Sequence, residues 1–146
     1  MNKTEKTIDI LLVEDSETDA ELTLEALAHG KLQNTVHHVK DGEEAMQYLR
    51  REGEYSDMVR PDLILLDLNM PKVDGREVLK RVREDETLKL IPIVVLTTSS
   101  HDADVLESYG LDANGYIVKP VDLLNFFDVI KSINNFWLRV VSMPPK

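Results

Sequence analysis

Three acidic residues stand at the ends of two apolar runs. Glu14 and Asp15 close the run Ile8 to Val13, and Asp67 closes Leu63-Ile64-Leu65-Leu66. Carried to one sheet edge, such carboxylates repel each other by roughly 3 kcal/mol per pair at about 5 Å and an effective dielectric near 20, so the edge demands a cation. Carboxylate oxygens and a backbone carbonyl, completed by waters, suit Mg²⁺, and the lack of a neighbouring His or Cys argues against zinc. Two further groups extend the set. Thr97, after the run Ile91 to Leu96, brings a hydroxyl donor, and Lys119, after Gly115 to Val118, brings a mobile ammonium. A carboxylate nucleophile, a metal, an ammonium and a hydroxyl are what in-line phosphoryl transfer onto an aspartate requires, because that chemistry is mostly positioning and neutralisation of charge.

These groups converge only if the chain builds a particular frame. The apolar runs Ile8 to Val13, Leu63 to Leu66 and Ile91 to Leu96, with weaker ones at Thr35 to Val39 and Gly115 to Val118, have strand length. Their near-continuous apolarity predicts strands covered on both faces, as in a parallel sheet. Helical patterns lie between them. Ser16 with Asp19 opens a helix to about His29, with Ala20, Leu24 and Leu27 on one face and Gly30 as its stop. Asp41 with Glu44 and Asp74 with Glu77 repeat that start signal, Asp102 or Asp104 opens a shorter helix through Tyr109, and Asp122 opens the last. In that last helix Leu123, Phe127, Ile130 and Trp137 recur at helical spacing. Five strands alternating with five helices, with right-handed crossovers, predict a doubly wound α/β domain. In such sheets ligands sit beyond the carboxyl ends of the strands, which is where Glu14-Asp15, Asp67-Leu68-Asn69, Thr97-Thr98 and Lys119-Pro120 all fall. Glu52 to Arg60 reads as the one long polar loop.

Composition narrows the function classes. A chain of 146 residues with 42% hydrophobic residues supplies one domain with one buried core. The formal charge of -10, from 27 acidic against 17 basic residues, disfavours a surface for nucleic-acid phosphates. No cysteine is present, which removes disulfides and thiolate catalysis from consideration. No apolar run reaches the length of a signal peptide or a membrane span, and the expectation is a soluble cytoplasmic protein with no membrane partner.

The motifs Leu-Val-Glu-Asp-Ser at 12 to 16, Leu-Leu-Asp-Leu-Asn-Met-Pro at 65 to 71, Leu-Thr-Thr at 96 to 98 and Tyr-Ile-Val-Lys-Pro at 116 to 120 stand in order. In these the chain resembles a CheY-like receiver domain, the response-regulator half of two-component signalling, over roughly Ile8 to Asn135. The resemblance implies a flavodoxin-like five-stranded parallel sheet of order 2-1-3-4-5 with five helices. It implies one receiver domain over 1–146, with its core at about 8–135 and a C-terminal extension at about 136–146. It further implies that Asp67 accepts a phosphoryl group from a sensor histidine kinase and that Asp15, Asp67 and the Asn69 carbonyl bind Mg²⁺, with Glu14 acting largely through water. Thr97 would hydrogen-bond the phosphoryl group, Lys119 would pair with it, and Tyr116 would be the switch aromatic that follows Thr97. Lys119-Pro120 matches the family's cis peptide. Hydrolysis of the acyl phosphate by the same site makes the protein a self-limited switch more than a turnover enzyme.

At finer grain, the Glu52 to Arg60 insertion, the Asp74-Gly75-Arg76-Glu77-Val78-Leu79 segment and the Phe136-Trp137-Leu138 tail are similar to small stand-alone regulators paired with phytochrome-type histidine kinases. That likeness implies a light- or redox-sensing kinase as donor and a homodimer through a C-terminal face carrying Phe136 and Trp137. Plain packing remains the other reading of those two aromatics, and a half-buried core residue the other reading of Tyr116. A flavin-binding domain of the same fold is disfavoured because Glu14-Asp15 would repel its phosphate. An aspartyl phosphatase is disfavoured because Asn69 stands where its second acid would be. The remaining alternative is a degenerate receiver that serves, unphosphorylated, as a docking module.

Overall fold

The three central apolar runs form strands covered on both faces, and two less buried runs form the sheet edges. In the computed structural model, which describes residues 7–28, 34–68, 70, 74–98 and 113–132, they become β1 (Ile8–Val13), β2 (Asn34–Val39), β3 (Leu63–Asp67), β4 (Ile93–Thr97) and β5 (Gly115–Val118). All pair in parallel in one sheet of order β2-β1-β3-β4-β5. The helices among the described residues are α1 (Glu17–Ala28), α2 (Gly42–Leu49), α3 (Gly75–Glu84) and α4 (Leu123–Ser132). The helix expected from Asp102 or Asp104, Gly30, and the tail with Phe136 and Trp137 lie outside the described residues.

Successive strand residues alternate between two cores. Leu11, Val13, Ile64, Leu66, Ile93 and Val95 pack with Ala45, Met46 and Leu49 of α2 and Val78, Leu79 and Val82 of α3. Ile10, Leu12, Leu63, Leu65, Val94 and Leu96 pack on the opposite face with Ala20 and Leu27 of α1 and Phe126 of α4. Every residue of β3 and β4 is buried, and each such Leu or Ile contributes about 2 kcal/mol by leaving water. This two-sided burial is why the strands lack polar alternation.

The caps fall where the side chains place them. Ser16 Oγ accepts the Asp19 N–H at 3.1 Å, Asp41 accepts from the Glu44 N–H at 2.8 Å, Asp74 from Glu77 at 3.1 Å and Asp122 from Asn125 at 2.9 Å.

Two expectations need correction. The ladder of β4 begins at Ile93 and not at Ile91: the Ile91 N–H closes a turn on Leu88 O, and Pro92 has no N–H to give. The segment from Glu52 to Arg60 is not simply a polar loop. It holds a single 3₁₀ turn, Gly53–Tyr55, whose Tyr55 ring lies 5.4 Å from that of Tyr48 and whose hydroxyl donates to Glu44. No described helix is long and apolar enough to cross a membrane.

Candidate functional site

The register of the sheet delivers the chemistry to one edge. Val13 pairs with Leu66 and Asp67 with Leu96, so Glu14 and Asp15 leave β1 beside the end of β3. Thr97 pairs with Val118, and the Lys119 N–H then donates to Thr97 O at 2.7 Å, which fixes the start of the loop beyond β5. The Lys119-Pro120 peptide is cis.

Glu14, Asp15 and Asp67 each present a carboxylate oxygen within 4.8 Å of the other two. Glu14 and Asp67 are buried while Asp15 is exposed, so the cluster has a wet mouth and a dry floor. Into it reaches Lys119, whose Nζ lies 2.8 Å from Glu14 Oε1, 3.0 Å from Asp19 Oδ2 and 3.5 Å from Asp67 Oδ1. Burial alone pushes the Lys119 pKa down, but its hydrogen bonds to Glu14 and Asp19 and the charge of Asp67 outweigh that and leave it above the ordinary lysine value. The ammonium therefore stays charged at neutral pH. Three carboxylates around one ammonium, with Asp15 beside them, leave an excess of negative charge, and the donors are all hard oxygens. That set fits a divalent cation such as Mg²⁺, which takes carboxylate and water oxygens and would supply the missing positive charge.

The backbone around Asp67 is held as tightly as the side chains. Leu68 N–H donates to Leu96 O at 3.3 Å, and Gly75 N–H returns to Leu68 O at 3.1 Å. A Cβ on Gly75 would stand 2.4 Å from Asp67 O and 2.6 Å from Leu68 Cα, so α3 meets the acidic strand end backbone to backbone. On the other side, Glu14 N–H donates to Val39 O at 3.0 Å and His38 Nε2 lies 2.7 Å from Glu14 O.

Of the residues expected from sequence, Glu14, Asp15, Asp67 and Lys119 are brought together. Thr97 is buried at the end of the adjacent strand, and Tyr116 is half-buried against the core shared with α2 and α3. Asn69 lies outside the described residues. Three contributors escaped the sequence: Asp19, which pairs with a lysine 100 positions away, His38 and Gly75. Asp19 had been visible only as part of a helix start.

A parallel sheet of this order, with an acidic triad and a lysine at its carboxyl edge, defines a phosphoacceptor switch domain. The match to known sequences names its kind: residues 10–131 fit the response regulator receiver domain, and the chain belongs to that family. It is 46% identical over 135 residues to the response regulator Rcp1 of Synechocystis sp., covering 92% of each chain. Among solved structures it resembles the phosphorylated cyanobacterial phytochrome response regulator RcpA, with 52% identity, a TM-score of 0.74 and coverage of 90% of this chain and 94% of that one. It likewise resembles the Mn²⁺-bound form of Rcp1, with 45% identity, a TM-score of 0.73 and coverage of 94% and 99%. The protein is thus a receiver-type response regulator with a phosphoacceptor role in two-component signalling, which entails a histidine kinase partner.

Proposed function

We propose that Asp67 is the phosphoacceptor of a single-domain regulator, that Mg²⁺ is its metal, and that a phytochrome-type histidine kinase is its donor. The observation that carries this reading is the gathering of Glu14, Asp15 and Asp67 oxygens within 4.8 Å beside the Lys119 ammonium. The likeness to a phytochrome response regulator supports the donor class, and the Mn²⁺-bound relative supports a divalent ion.

An Asp67 carboxylate oxygen attacks the phosphorus of the kinase phosphohistidine. The O–P bond forms as the P–N bond breaks, and the imidazole nitrogen leaves with the bonding pair. Asp15, Asp67 and the Asn69 carbonyl would hold Mg²⁺ directly, where it supplies positive charge against the phosphoryl oxygens. Glu14 acts through water, because its oxygens already face Lys119 and the Ser16 N–H at 2.8 and 3.2 Å. Lys119 is close enough to shift from Asp67 onto a phosphoryl oxygen, and Thr97 supplies a hydroxyl donor from the neighbouring strand. The new charge of about -1.5 to -2 draws Thr97, and Tyr116 on the adjoining strand follows, which alters the surface around β4 and β5. Hydrolysis by water restores the Asp67 carboxylate and releases phosphate, so the signal limits itself.

Incubation with acetyl phosphate and Mg²⁺ followed by intact-mass measurement tests the assignment. One added phosphoryl group on the wild type and none on Asp67→Asn is the expected result. An unlabelled wild type would favour the unphosphorylated docking module, and a labelled Asp67→Asn would move the acceptor elsewhere.

A further inference from the structure

Lys119 is shared unequally among its three partners. An ammonium has three protons to give. One is given to Asp19 Oδ2 at 3.0 Å; Glu14 Oε1 at 2.8 Å is an ion-pair contact outside hydrogen-bond geometry, and Asp67 Oδ1 stands off at 3.5 Å. The resting lysine is therefore drawn toward the α1 side of the cluster.

The two short partners differ in what it costs to leave them. The Glu14 side chain is fully buried, so a Glu14 without its cation would be an unpaired charge out of water. The Asp19 side chain is 38% exposed, and water replaces a lost partner there at little cost. Asp19 is also held in place independently of Lys119. Its N–H is bound to Ser16 Oγ at 3.1 Å, and it sits in the first turn of α1, where the positive end of the helix dipole favours a carboxylate. It is a fixed anion from which the ammonium can be taken.

We propose that Asp19 is a positioning residue that tethers Lys119 away from Asp67 in the resting protein and thereby restrains phosphoryl acceptance. The inference rests on the reading of Asp67 as acceptor. To pair with an arriving phosphoryl group, Lys119 must lengthen or release the Asp19 bond, while the Glu14 contact can persist. Removing the tether leaves the ammonium free to face Asp67 and raises the rate of acceptance.

The test compares Asp19→Asn, Asp19→Glu and Glu17→Gln with wild type, using acetyl phosphate and Mg²⁺ and following the added mass with time. Glu17 is a control for charge, since it lies in the same turn and its side chain is 76% exposed with Lys40 as its cation. Asp19→Asn should accept the phosphoryl group about two- to fivefold faster, the size of effect that a partly exposed ion pair carries. Asp19→Glu should return toward the wild-type rate, and Glu17→Gln should stay within about 1.5-fold of it, because surface charges beyond the pair act weakly through salt. In the metal-free protein, the ammonium resonance of Lys119 should move in Asp19→Asn and stay in place in Glu17→Gln. Equal rates for Asp19→Asn and Glu17→Gln, or an unmoved Lys119 resonance in Asp19→Asn, would overturn the tether while leaving the acceptor assignment intact. A wild type that takes up no phosphoryl group would overturn the acceptor assignment and the tether together.

Discussion

Lys119 Nζ lies 2.8 Å from Glu14 Oε1, and the pair is nearly dry: the two side chains are 12% and 0% exposed. Removing the lysine would strand a buried carboxylate beside two more. Lys119→Met should therefore cost about 3 kcal/mol of stability, the usual penalty for breaking a buried pair. Thermal unfolding in chelator measures it, and added Mg²⁺ should restore more stability to the variant than it adds to wild type. A variant as stable as wild type in chelator would refute the pairing.

The same pair predicts a pH dependence of fixed sign. The folded pKa of Lys119 lies above its ordinary value, so its contribution is complete below about 10.4 and fades as pH rises through the folded value. The stability gap between wild type and Lys119→Met, followed by urea unfolding, should be level from about pH 7 to 10 and narrow above that. A gap that widens with alkali would reverse the assignment.

Asp67 feels two carboxylates within 4.8 Å and one ammonium at 3.5 Å. Asp67→Asn should raise the melting temperature of the metal-free protein by about 3 °C, corresponding to about 1 kcal/mol of relieved repulsion. With Mg²⁺ present the order should invert if, as proposed, Asp67 is a metal ligand that the variant lacks. A sharp fall in chelator would reveal a structural partner of Asp67 stronger than Lys119.

Metal binding should itself be visible as stability. At a free Mg²⁺ concentration one hundred times its dissociation constant, wild type should gain about 2.7 kcal/mol. Asp15→Asn keeps the shape of an exposed side chain and removes one charged donor, so its melting temperature should respond far less to the ion. Equal responses would place the ion away from Asp15.

Gly75 offers a steric test. Gly75→Ala puts a methyl group against Asp67 O and Leu68 Cα, both backbone atoms that cannot swing aside. The variant should lose about 2 kcal/mol in denaturant unfolding and accept phosphoryl groups more slowly, since α3 or the strand end must shift. Unchanged values in both measurements would mean that the approach is looser than its distances indicate.

The frame was legible because burial on both faces writes itself into sequence: Ile8–Val13, buried at all but Asp9, is a strand at the residues where its apolar run lies. Cap residues were legible for a local reason, since Asp41 and Asp74 act on N–H groups three positions on. The acidic triad was legible because each member ends a strand, and parallel strands share an edge. What could not be read depends on distance in the chain. Asp19 meets Lys119 across 100 positions, and as a helix-opening acid its type already had a sufficient local explanation. Gly75 looked like part of a helix start, and its lack of a side chain acquires meaning only from the strand it touches. Tyr55 was hidden in a polar stretch, and its ring, tilted against that of Tyr48, ties the segment to α2.

The contact of Gly75 with Asp67 and Leu68 has a mechanical consequence. With no side chain as a cushion, and with the Gly75 N–H clasping Leu68 O, β3 and α3 form a stiff elbow. Any displacement of the Asp67 carbonyl therefore meets the backbone of the first turn of α3 directly, so the acidic strand end and that helix are steric neighbours with no side chain between them.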